Sequence, residues 1–172
     1  QSRGLGDVYK RQVYNQVKDR LPFPLMEVWR HSQDVIHQFK RAQNAVLFAA
    51  GSCWEGVDFP GDMVSSLIIV RLPFPVPDPL SEAEREQYPT LQDYIKMVVI
   101  PDMQVKLRQG FGRAIRTETD TCVVSILDCR ASPGERYHRA VLETLPNLRL
   151  TRKIEDVEEF IRAKKGPDYF MP

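Results

Sequence analysis

Apolar positions along the chain alternate between two periods, and each period predicts a different element. Val13, Val17 and Leu21 recur every four residues and mark the end of a helix. Leu25–Trp29 reads as a short strand, and Ser32 is placed to cap a helix running through Ala42, with Val35, Ile36 and Phe39 on one face. Three continuous apolar runs follow, Ala45–Ala50, Ser66–Leu72 and Cys122–Leu127. Runs of this length separated by helical stretches predict buried strands of a parallel sheet covered by helices on both faces, an α/β architecture.

Between the second and third runs lies a long excursion. Pro73, Pro75, Pro77 and Pro79 make Leu72–Leu80 a stiff, extended connection. Ser81 is expected to cap a short acidic helix up to Tyr88, and Thr90 another reaching about Val98. Pro101 suits the first turn of a helix running to about Arg116. The tail after Pro146 predicts one more amphipathic helix, Ile154–Lys165, with Val157, Phe160 and Ile161 inward. No linker divides residues 13–172, which are read as one domain with a helical tail. Gln1–Gln12 shows neither period and resembles a non-native leader of the kind that recurs at the ends of assembled sequences. The alternative is a frayed natural terminus, and on either reading residues 1–12 are expected to pack poorly.

Composition narrows the class without choosing a function. The 172 residues, 42% hydrophobic and 27% charged, suffice for a packed core without disulfides or metal. The net charge of +1 neither demands nor excludes nucleic acid, since a basic stripe can hide in a neutral total. Cys53, Cys122 and Cys129 never approach a CxxC spacing, which argues for reduced thiols and against a metal site within the chain. No apolar stretch approaches the roughly 20 residues of a membrane span, no secretory signal opens the chain, and the expected location is cytoplasmic.

Two segments carry candidate chemistry. The first is Gly51-Ser-Cys-Trp-Glu-Gly-Val-Asp-Phe-Pro-Gly61, directly after the Ala45–Ala50 strand. Ligands of parallel sheets gather at the carboxyl ends of strands, where glycines let the backbone come close. Glu55 and Asp58 supply carboxylates suited to a ribose hydroxyl, a magnesium-bound water or an arginine, and Trp54 offers a flat face for a base. On composition alone, a tight strand-to-helix turn around a buried Trp explains the segment equally well.

The second segment is Gln109-Gly-Phe-Gly-Arg-Ala-Ile-Arg116. On a helix, Gln109, Arg113 and Arg116 fall at i, i+4 and i+7 and share a face, with Lys106 near it, while Leu107, Phe111 and Ile115 take the opposite face. A helix that tolerates two glycines, at about 1 kcal/mol each relative to alanine, while presenting guanidiniums points to close approach by an anion. The bland alternative is a solvated basic face paired with Glu118 and Asp120.

Together, in this order and spacing, the segments resemble one family. GSCWEGVDFPG is similar to motif V, and QGFGRAIR to motif VI (Q-x-x-G-R-x-x-R), of superfamily 2 helicases in the DinG/XPD branch. IIVRLPFPVPDP and SILDCR also resemble that branch, closest to its bacterial DinG-like members, and the resemblance runs from Val13 to Phe170. It implies a second RecA-like motor domain of the P-loop NTPase superfamily. In such motors ATP with Mg²⁺ sits between two RecA-like domains, and the N-terminal one supplies the Walker lysine and the acidic pair that binds the metal. By resemblance, Arg113 and Arg116 are arginine fingers and Gln109 joins them in the catalytic set. Glu55, Gly56, Asp58, Gly61 and Gly112 contribute to the nucleotide site, and Ser52 and Trp54 touch single-stranded DNA. Asp58 would contact ribose or orient a motif VI arginine.

The sequence departs from that pattern in three respects. Cys53 stands where the family usually has an aromatic residue, which puts stacking there in doubt, and Cys122 stands where glycine is expected. No G-x-x-x-x-G-K-[ST] occurs, nor an Asp-Glu-Ala-His box, nor the family's four iron–sulfur cysteines, so a cluster would belong to the N-terminal half. These residues alone are therefore expected to lack independent ATPase activity. The whole motor is expected to hydrolyse ATP and move along single-stranded DNA from 5′ to 3′. The competing readings are a non-motor single-stranded DNA-binding module and the motor half of an exonuclease-fused relative.

Overall fold

A computed structural model describes residues 5–29, 33–51, 57–61, 63–117, 119–145 and 148–170. They form two compact units, Gln1–Met63 and Val64–Pro172, where the sequence had suggested no division.

In the first unit, helix α1 spans Leu5–Val17, strand β1 Leu25–Glu27, helix α2 Gln33–Arg41 and strand β2 Val46–Phe48. β1 and β2 pair in parallel, Leu25 opposite Val46 and Glu27 opposite Phe48. The ladder is extended by Val46 N–H donating to the Pro24 carbonyl at 2.9 Å and Val28 N–H to the Phe48 carbonyl at 2.8 Å. Helix α1 starts inside the segment expected to be without structure. Its anchor is Lys10, only 6% exposed. The Lys10 ammonium donates to the Val28 carbonyl, lies 3.3 Å from Asp7 and 3.6 Å from Glu27, and sits 4.2 Å above the Trp29 ring. A buried charge is tolerable when it is paired and hydrogen-bonded in this way. A search for apolar periodicity overlooks such a helix because its inward anchor is a lysine. Ser32, the expected cap of α2, lies outside the described residues.

In the second unit, strands β3 (Ser66–Ile69) and β4 (Val123–Ile126) pair in parallel, Ser66 opposite Val123 and Ile69 opposite Ile126. The strands are parallel, as the apolar runs predict, yet half-buried where full burial was expected, with Ile68 58% exposed.

Helix α3 (Pro79–Arg85) begins at Asp78, not at the predicted Ser81. Asp78 accepts from Ser81 N–H at 2.7 Å while Ser81 Oγ accepts from Asp78 N–H at 2.8 Å, a reciprocal capping box with Pro79 at the first helical position. Thr90 caps the next helix as predicted, accepting from Asp93 N–H at 3.1 Å.

The two helices expected over 90–98 and 101–116 are one continuous rod. Helix α4 (Leu91–Tyr94) passes through a π-helical segment, Ile95–Val99, into helix α5 (Ile100–Ala114). Inside an unbroken α-helix, Pro101 would lack an N–H and clash with the preceding turn. The wider turn, in which Ile100 N–H reaches the Ile95 carbonyl, accommodates it.

Helix α5 buries Met103, Leu107, Gly110, Phe111 and Ala114, one stripe at helical spacing, with Met103 and Leu107 fully buried. It packs on β3 and on helix α6 (His138–Thr144), to which Gln104 Nε2 donates at the Ala140 carbonyl, 2.8 Å away. Helix α7 (Ile154–Lys164) half-buries Val157, Phe160 and Ile161, as its pattern predicts. Among the described residues, no helix is long and apolar enough to cross a membrane.

Candidate functional site

The last two turns of α5 place the second candidate segment. Because Leu107 and Phe111 bind this helix to the unit, the opposite side faces outward: Gln109 is exposed and Arg113 half-exposed one turn later. Lys106, expected near that face, is held by Asp102 at 2.8 Å one turn back. Gly112 lies between Gln109 and Arg113, and a Cβ built on it meets no heavy atom within 4 Å. Packing within the unit therefore does not require glycine at 112, and the open space is available to a ligand.

Arg116 does not share the helical face. Helix α5 ends at Ala114, and Ile115 adopts extended backbone (φ −133°, ψ 113°). Arg116 is exposed and stands at the start of the turn that follows. Asp120 organises that turn: one carboxylate oxygen accepts Arg116 N–H at 2.8 Å and Thr117 N–H at 3.0 Å, and the other accepts the Thr117 hydroxyl at 2.8 Å. The backbone N–H of Arg116, with the Thr117 bonds behind it, holds the Asp120 carboxyl below its ordinary value. The sequence suggested Asp120 as an ion-pair partner for the basic face; its carboxylate holds the turn backbone and the Thr117 hydroxyl, and the charge of Arg116 adds to the lowering of its carboxyl.

A second polar node, missed by the sequence reading, sits where β3 and β4 end. Asp128 is 8% exposed and accepts the N–H of Leu72 at 2.9 Å across the strand ends. Arg130 clamps the same carboxylate with both prongs, Nε to Oδ1 at 2.9 Å and Nη2 to Oδ2 at 2.7 Å. The guanidinium of Arg130 also lies 4.8 Å from the Phe74 ring centre, and Phe74 and Tyr137 pack with their ring centres 4.7 Å apart. The Arg130 guanidinium is the first cause that lowers the Asp128 carboxyl, from 3.8 to about 2, against the opposing effect of burial. The sequence signal is the Asp-x-Arg spacing at the end of an apolar run, inside the SILDCR segment, whose resemblance gives neither residue a role.

Of the first segment, Ser52, Cys53, Trp54, Glu55 and Gly56 lie outside the described residues. Val57 is buried, Asp58 is exposed, and Gly61 takes a positive φ of 64°, a conformation that favours glycine. Asp58 and Gly61 belong to the first unit, whereas Gln109, Gly112, Arg113 and Arg116 belong to the second. Among the described residues, no three His, Cys, Asp or Glu side chains group to hold a metal ion.

Taken together, the second segment offers two guanidiniums, which only donate, and the Gln109 amide, which can donate. An amide, two guanidiniums and a helix surface open at Gly112 suit an anion with several oxygens, and arginine's planar fork matches phosphate.

Comparison with known proteins identifies the family. The chain is 35% identical over 165 residues to the ATP-dependent DNA helicase YoaA of Haemophilus influenzae, an alignment covering 94% of this chain and 24% of that protein. It is 38% identical over 109 residues to the ATP-dependent DNA helicase DinG of Photobacterium profundum, covering 62% of this chain and 16% of that protein. It is also 35% identical over 130 residues to the 3'-5' exonuclease DinG of Bacillus subtilis, covering 74% and 14% respectively. The chain thus spans about a quarter or less of the length of these relatives. The family described as helicase C-terminal domain matches residues 8–148, which include both candidate segments. With its parallel strands, its helices and its DinG-like relatives, the chain belongs to the helicase C-terminal domain family, as a DinG-like member with an α/β, RecA-like fold.

Proposed function

We propose that this chain is the second motor domain of an ATP-dependent DNA helicase that translocates on single-stranded DNA from 5′ to 3′ in the cytoplasm. Its partner is an N-terminal RecA-like domain of the same polypeptide, which supplies the Walker lysine and the ligands of Mg²⁺; an iron–sulfur cluster, where present, belongs to that domain. The observation that carries the reading is the outer side of α5, where Gln109, the open surface at Gly112 and Arg113 precede Arg116 within two turns and a bend. Arg113 and Arg116 act as arginine fingers on the γ-phosphate, and Gln109 assists them. Asp58 and Gly61, with Glu55 and Gly56, line the nucleotide site, and Ser52 and Trp54 contact the DNA strand.

Arginine fingers act where charge develops, so their loss is felt in turnover more than in binding. The test joins this chain to a DinG-type N-terminal half and measures DNA-stimulated ATP hydrolysis. Restored turnover that collapses in Arg113→Ala and Arg116→Ala supports the motor. Single-stranded DNA binding without turnover in the parent fusion would support a non-motor binding module instead. The exonuclease name of one relative favours a second reading, the motor half of a nuclease-fused protein. A nuclease assay on the full-length polypeptide separates that reading from the first.

A further inference from the structure

Arg116 lies beyond the end of α5, so helical geometry does not place its backbone. Ala114 is the last helical residue and Ile115, whose N–H still donates to the Phe111 carbonyl, is extended, so the chain leaves the helical path before the arginine's own Cα. What fixes the backbone at that point is Asp120, through Arg116 N–H, Thr117 N–H and the Thr117 hydroxyl. A carboxylate that accepts two successive backbone N–H groups pins the local turn, because each bond constrains a different peptide plane. The turn is tightened by Asp120 N–H donating back to the Thr117 carbonyl at 3.2 Å.

We infer that Asp120 is a positioning residue for Arg116: it holds the turn after α5 in the one conformation that delivers this guanidinium to the phosphate. The inference rests on the reading of Arg116 as an arginine finger, and it assigns Asp120 no contact with nucleotide. A misplacement of about 1 Å in a catalytic group can cost about a hundredfold in rate. Removing the carboxylate should therefore lower kcat while leaving KM for ATP nearly unchanged. Asparagine is the discriminating conservative variant. Its carbonyl oxygen can still accept both backbone N–H groups, and its amide can donate to the Thr117 hydroxyl, which can reverse its role.

The test uses the fusion of this chain to a DinG-type N-terminal half, with DNA present. Asp120→Ala should reduce kcat by about 10- to 100-fold, and Asp120→Asn should stay within about threefold of the parent. The double variant Asp120→Ala/Arg116→Ala should be no slower than Arg116→Ala alone, since a positioning residue has nothing left to position. If Arg116→Ala collapses turnover and Asp120→Ala does not, the positioning role is overturned while the motor reading stands. If the two losses multiply in the double variant, Asp120 acts independently of Arg116 and the inference fails. If Arg116→Ala itself leaves turnover intact, the finger assignment falls, and with it the premise. A second measurement on the 172-residue chain needs no turnover. Amide hydrogen exchange at Arg116 and Thr117 should quicken at least about tenfold in Asp120→Ala and little in Asp120→Asn. Unchanged protection in Asp120→Ala would overturn the inference whatever the kinetics.

Discussion

Replacing Asp128 by asparagine tests whether the node at the ends of β3 and β4 holds the second unit together. The carboxylate accepts Leu72 N–H and both prongs of Arg130, and these contacts lower its pKa from 3.8 to about 2. A tenfold change in proton affinity is worth about 1.36 kcal/mol, so the fold favours the charged form by about 2 kcal/mol. Asparagine keeps the shape, loses the charge and turns an N–H toward the guanidinium. At pH 7 the variant should therefore be less stable by about 2 kcal/mol, or about 4–8 °C in Tm for a chain of this size. The pH dependence carries the sharper test. Because the folded-state pKa is depressed, the stabilisation is present in full above 3.8 and is lost as pH falls from there through about 2. Thermal melts of parent and Asp128→Asn, followed by circular dichroism across that window, should show a gap that is wide at neutral pH and closes near pH 2. A gap of equal size at both ends would mean that packing, not charge, is the cause. No gap at pH 7 would refute the node's contribution altogether.

Other expectations concern the helix and its arginines. Leu107→Ala empties a fully buried position and should cost about 2–5 kcal/mol, seen as a lower Tm or denaturant midpoint. Arg113→Ala and Arg116→Ala should each reduce ATP turnover of the reconstituted motor by about 10³ to 10⁵ with melts close to the parent; turnover within threefold for both would sink the assignment. Lysine at either position should rescue poorly, because it keeps the charge and loses the fork. The chain alone should bind single-stranded DNA weakly, with affinity falling steeply between low and high salt as counterions are released; a flat salt profile would argue against phosphate contacts.

The sequence made the inward face of α5 readable because Leu107 and Phe111 are apolar at helical spacing, and burial of that stripe follows from solvent exclusion alone. It did not reveal where the helix ends. Helical periodicity carried Arg116 onto the face of Gln109 and Arg113, but Gly110 and Gly112 weaken the last turns and Asp120 captures the N–H groups just beyond them. Competition of this kind, between a side chain and the helix for the same backbone donors, leaves no periodic trace. The cap of α3 was misplaced for a related reason: Asp78-Pro79-Leu-Ser81 contains two capping residues that share the task, and proline at the first helical position favours the aspartate. Asp128 and Lys10 were missed because both are charged groups in buried places, where composition predicts solvent exposure.

The π-helical segment Ile95–Val99 acts as a phase shifter between the two ends of its rod. In an α-helix each residue advances about 100° around the axis, so Tyr94 and Met103, nine positions apart, would point to opposite sides. Both are buried. One extra residue accommodated in the wide turn removes roughly one such step and brings the two side chains toward the same side. The azimuth of Gln109 and Arg113 is thus set in part some ten residues upstream, by a length and not by a side chain. Deleting a single residue between 95 and 99 would restore an ordinary helical turn and keep the azimuth downstream, at the cost of setting Pro101 inside an unbroken α-helix, where it clashes with the preceding turn. The segment would then accept substitutions far more readily than deletions.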